Sequence, residues 1–110
     1  MASSSKRKGD RAELEVQGLF RDHLGIPARR ALGAGRKDDV GDIHGVPHTV
    51  VQVVNWRDVA AAVRNKPNEA ERQRENAEMP FAATFVRLKG GEYRVVMTPD
   101  QWFAMYRECL

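Results

Sequence analysis

The sequence predicts one mixed α/β domain, a five-stranded mixed sheet flanked by helices in the order helix, three strands, helix, two strands, helix. Three observations carry this. A Val- and Thr-rich run from His48 to Asn55 reads as the central strand. Apolar residues recur at helical spacing between Asp10 and Leu24. Two further strand-like runs flank Lys89-Gly90-Gly91-Glu92, a hairpin signal. A chain of 110 residues is enough for one core and not for two.

In order, Met1 to Arg7 is small, polar and basic and reads as a flexible N-terminal arm, leaving 8–110 as the domain. The helix from Asp10 to Leu24 places Ala12, Val16, Leu19, Phe20 and Leu24 on one face, and Gly25 with Pro27 ends it. Pro27 to Leu32 and Val40 to Ile43 are short strands on either side of a charged, glycine-rich loop, and Gly45-Val46-Pro47 turns the chain into the strong third strand. Val59 to Arg64 suggests a helical turn ended by Pro67. Asn68 then caps a separate helix, with Glu71 in capping-box spacing, running to Met79 before Pro80. Its inner face would be Ala70, Gln73 or Arg74, and Ala77. Phe81 to Leu88 and Tyr93 to Met97 are the last strands. Thr98 caps the final helix, with Pro99 first, Gln101 completing the box, and Trp102, Phe103 and Tyr106 as its apolar face.

Apolar residues make up 42% and charged residues 30%, a soluble balance. No apolar run is long enough for a membrane span, no signal-peptide pattern opens the chain, and Cys109 has no partner for an internal bridge and no evident activating neighbour, so a reducing cytoplasm is expected. The net charge is only +3, but its distribution matters. Lys6, Arg7, Lys8 and Arg11 form one basic cluster, and Arg29, Arg30, Arg36 and Lys37 form another; both suit phosphate contacts, or equally a solubilising tail and a solvated loop.

Three polar residues stand out of their local pattern. Glu13 projects between Phe20 and Leu24, inside the apolar arc of the first helix, where a carboxylate needs an arginine, a metal or a route to water. Glu15 points to the polar side. Asp42, before the turn, is a candidate oxygen ligand for a hard cation, whereas Asp38 and Asp39 read as solvated loop residues. Gln52 is the only polar residue inside an apolar strand, and alternation sets it on one face with Val50 and Val54. It either bonds neighbouring backbone or points at a site shared with Asp42. His44 and His48 flank a turn with no third ligand nearby to complete a zinc site. No Walker-type phosphate loop and no serine nucleophile elbow is present.

These residues fall in a familiar order. Lys8-Gly9-Asp10-Arg11-Ala12-Glu13 resembles the first-helix motif of the archaeal-type Holliday junction resolvases and their phage relatives, members of the PD-(D/E)xK nuclease superfamily. The run from Gly35 to Ile43 resembles that family's basic loop and catalytic aspartate. Glu69 to Ala77 is similar to the second helix of phage members, and Val95-Val96-Met97-Thr98 with its aromatic helix also fits. The resemblance covers roughly residues 6 to 107 through short motifs in the right order. It implies a restriction-endonuclease-like core and a Mg²⁺-dependent endonuclease (Mn²⁺ being a substitute) that cuts four-way or other branched DNA as a homodimer, in the host cytoplasm if phage-encoded. Carried over by position, Glu13, Asp42 and Gln52 are metal ligands. Gln73 is a further candidate to orient water, and Lys6, Arg7, Lys8, Arg11, Arg36 and Lys37 are DNA contacts. Two positions depart from the pattern. Gln52 stands where the family has a strand carboxylate and Val54 where it has a lysine, so the resemblance equally allows an impaired nuclease that binds branched DNA without cutting. Lys37, Arg57, Lys66 and Lys89 are candidates for a cation supplied from elsewhere.

Overall fold

A computed structural model describes residues 4–31 and 41–110. Among them are three helices and a five-stranded mixed sheet: α1 Ser4–Leu24, β1 Arg29–Arg30, β2 Ile43–His44, β3 Thr49–Val54, α2 Val59–Asn76, β4 Phe81–Arg87, β5 Tyr93–Val96 and α3 Pro99–Arg107. The strands lie side by side in chain order. All neighbours are antiparallel except β3 and β4, which are parallel and joined through α2. The predicted Gly33 to Asp39 loop, with Arg36 and Lys37, lies outside the described residues.

The alternation of β3 sorts the core. Val51 and Val53 pack with Ala12, Val16 and Ile43 on the α1 side. Val50 packs with Ala70 and Ala82, and Val54 with Ala62 and Val86, on the α2 side. The small residues of α2 let that helix lie close to the sheet. Gln52, whose side chain shares the Val50–Val54 face, therefore points toward α2.

Four expectations change. The first helix begins at Ser4, so Lys6 and Arg7 belong to α1 rather than to an arm; a Lys6–Asp10 pair of 3.1 Å at i,i+4 spacing supports that added turn. The predicted break at Pro67 is absent. α2 runs unbroken through a buried Pro67, and its cap is Asp58, whose side chain accepts the Ala61 N–H, not Asn68. An interior proline costs a helix about 3 kcal/mol. Here Pro67 is itself buried, and Ala62 ahead of it and Ala70 beyond it are packed against the sheet, so tertiary burial on both sides holds the helix through it. Asn68 donates instead to the Arg64 carbonyl at 3.4 Å, and Glu71 accepts from Arg74 rather than completing a box. At the other end of α1, Leu24 is exposed, outside the core that Ala12 and Val16 enter. Finally, Trp102, Phe103 and Tyr106 of α3 are each about half exposed, and the buried residue of that helix is Gln101. Thr98 caps as expected, but the Gln101 side chain accepts the Ala82 N–H at 3.1 Å, fastening α3 to β4 instead of closing a box. No described helix is long and apolar enough to cross a membrane.

Candidate active site

A cleft of about 770 Å³ opens where α1, the end of β3 and α2 meet, a size that suits a ligand site. Glu13, Asp42, Gln52 and Gln73 all line it, so the four residues singled out in the sequence from four separate segments converge on one space.

Each arrives for a local reason. Glu13 follows buried Ala12 on α1, and the helical step turns it from the core toward the rim of the sheet. Asp42 depends on Gly41, whose φ is +94° and which lies so close to β3 that an added Cβ would come within 2.6 Å of the Val51 carbonyl oxygen. That approach lets the Asp42 N–H donate to Val51 O at 2.7 Å, while the Asp42 carboxylate accepts the Val53 N–H at 2.8 Å. Gln52 donates its amide N–H to Gln73 Oε1 at 2.6 Å, and both are buried. The bridge ties the sheet to α2 and leaves the Gln52 carbonyl oxygen as the atom a cation would use.

The electrostatics mark the two carboxylates as a pair. The Glu13 pKa is raised, first by burial and then by the negative charge of Asp42, against the opposing pull of Arg30. Arg30 donates to Glu13 Oε1 through Nε at 3.2 Å and a terminal nitrogen at 3.1 Å, and also grips Asp10. Asp10 is in turn held below its ordinary pKa, chiefly by its bond from Lys6. Arg30 and Asp10 thus complete a charge network that sequence reading did not assign. Its one signal in the sequence is the place of Glu13 inside the apolar arc, where a carboxylate needs an arginine, a metal or a route to water.

Of the cations named from the sequence as able to serve the site from elsewhere, Lys66 and Arg57 line the cleft, Lys89 lines a neighbouring pocket, and Lys37 is outside the described residues. Lys66 pairs with Glu69 at 3.0 Å and sits 5.2 Å from the centre of the Trp56 ring. Val54 is buried against Ala62 and Val86 and brings no polar group to the cleft. Of the predicted DNA contacts on α1, Lys8 lines the cleft and Arg11 is exposed. His44 is half-buried and His48 occupies the turn at a φ of 62°.

Among the described residues no three His, Cys, Asp or Glu side chains form a metal-holding group. The donor set offered is smaller, two carboxylates and one amide oxygen. It fits a hard divalent cation that keeps much of its water, and the mutual repulsion of Glu13 and Asp42 is what such an ion would relieve. No family model matches the chain, and no curated protein or solved structure matches it either.

Proposed function

We propose that the protein is a Mg²⁺- or Mn²⁺-dependent endodeoxyribonuclease of the Holliday-junction-resolvase type, with a restriction-endonuclease-like fold, that hydrolyses phosphodiesters of branched DNA. The observation that carries this reading is the convergence of Glu13 and Asp42 in one cleft, close enough for the charge of Asp42 to hold up the pKa of Glu13. Glu13, Asp42 and the Gln52 carbonyl would hold the ion. When bound, Mg²⁺ supplies a water of lowered pKa and neutralises charge on the phosphate.

The chain's own groups prepare this site. The Val53 N–H fixes the Asp42 carboxylate, and Gln73 fixes the Gln52 amide, so two of the three ligands are set before any ion enters. Arg30 has Asp10 as a second partner, so Glu13 can turn to an ion without leaving that guanidinium unpaired. Lys66 brings an ammonium to the α2 wall of the cleft, where its partner Glu69 offsets part of its charge before a phosphate arrives. A homodimer supplies the two active sites that paired nicks across a junction require, and the half-exposed aromatic face of α3 is a surface such pairing would cover.

A second reading rests on Val54 and Gln52: a nuclease-fold protein that binds branched DNA without cutting it. Labelled four-way junction and linear duplex, incubated with Mg²⁺, Mn²⁺ or chelator, separate the two. Paired, metal-dependent cuts that disappear in Asp42→Asn are expected. Tight junction binding with no cuts favours the second reading, and equal, weak binding to both DNAs rejects both.

A further inference from the structure

A second pocket of about 360 Å³ adjoins the cleft and shares Lys8, Asn55, Trp56 and Arg57 with it. The two differ in charge. The cleft carries Glu13, Asp42, Asp58 and Glu69, whereas the described lining of the second pocket holds no carboxylate and adds Lys89 and Arg87. Arg87 is already occupied by Glu15. Lys8, Arg57 and Lys89 are exposed, and no carboxylate among the described residues pairs with them. Three uncompensated cations around a concave surface attract a polyanion. At the shared rim, Trp56 keeps 42% of its surface exposed while Lys66 pins its ring from 5.2 Å. A pinned indole at the edge of a basic groove presents a face on which an unpaired base can stack, which a base within a duplex cannot do.

We infer that this basic pocket is a single-strand channel. An unpaired strand of nucleic acid leaves the acidic cleft across Trp56, stacks one base there, and lays its following phosphates on Lys8, Arg57 and Lys89. The inference rests on the proposed function for the nature of the polyanion, and it names the unpaired segment at a branch as the part recognised.

The test uses the full chain in chelator, where cleavage plays no part, with an oligothymidylate and a blunt duplex of equal length. In a Trp102→Phe background the remaining indole reports on Trp56. Oligothymidylate should quench it, and duplex should not. Trp56→Ala should weaken oligothymidylate binding about tenfold or more. Joint replacement of Lys8, Arg57 and Lys89 by Ala should reduce the slope of log affinity against log salt by about 2, because each single-strand phosphate contact contributes about 0.7. All are exposed, and an unchanged melting temperature confirms that the variants fold. An unaltered salt slope, or equal quenching by duplex, overturns the inference. Loss of cleavage with these responses intact removes the nuclease reading alone, and cleavage without them removes the channel alone.

Discussion

Glu13 and Glu15 lie two residues apart on one helix, and each is bonded to an arginine, yet their acidities move in opposite directions. The Glu15 pKa is lowered by bonds from Arg87 and Tyr93, while the Glu13 pKa is raised by burial and by Asp42. Two residues turn a helix by roughly 200°, so the side chains leave on opposite sides. Glu15 meets the strand ends carrying Arg87 and Tyr93, whereas Glu13 enters the cleft. A partner cation therefore does not by itself define what a carboxylate does. Glu15 is a strut with its charge satisfied. Glu13 sits where burial and Asp42 disfavour its charged form and Arg30 offsets them only in part, the setting in which the proposed cation would act.

The largest expected difference between them is in activity. Glu13→Gln should lower metal-dependent junction cleavage by about two orders of magnitude or more, and Glu15→Gln should leave it within a few-fold. Equal losses in the two variants would erase the distinction.

Stability against pH should differ in sign. A raised folded pKa means that the Glu13 contribution is greatest below the ordinary value of 4.5 and is lost as pH rises through the shifted pKa. Glu15 contributes above 4.5, and its contribution is lost as pH falls through its lowered pKa. In chelator at neutral pH, thermal melts should thus show Glu13→Gln at or above the parent and Glu15→Gln below it. Both offsets should shrink as the solution is acidified. Added Mg²⁺ should raise the parent melting temperature and leave that of Glu13→Gln unmoved.

The smallest effect belongs to Tyr93, whose hydroxyl lies 2.6 Å from Glu15 Oε1 and 3.3 Å from the Ala12 carbonyl. Its own pKa is raised, chiefly by burial. Tyr93→Phe should cost about 1 kcal/mol in denaturant unfolding and return the Glu15 titration toward 4.5, without affecting cleavage.

Much of this was legible beforehand because it rests on period and on local chemistry. The alternation in β3 set Gln52 apart from Val51 and Val53, the helical period of α1 separated Glu13 from Glu15, and Thr98 and Pro99 marked the start of α3. The errors came where distant packing overruled a local signal. Pro67 ends a helix in isolation but not when the segments on both sides are buried against β3 and β4. The aromatic period of α3 suggested an inward face, but the Ala82 N–H takes Gln101 and turns the aromatics outward.

The sequence by itself determined the kinds of element and which polar side chains break their pattern, since those depend on neighbours within a few positions. Only the tertiary structure decided what the odd residues meet. That Arg30 reaches Glu13, that Gln73 holds Gln52, and that Gly41 brings Asp42 against β3 are contacts between segments distant in the chain. No local pattern encodes them, because each depends on where sheet and helix packing place the backbone.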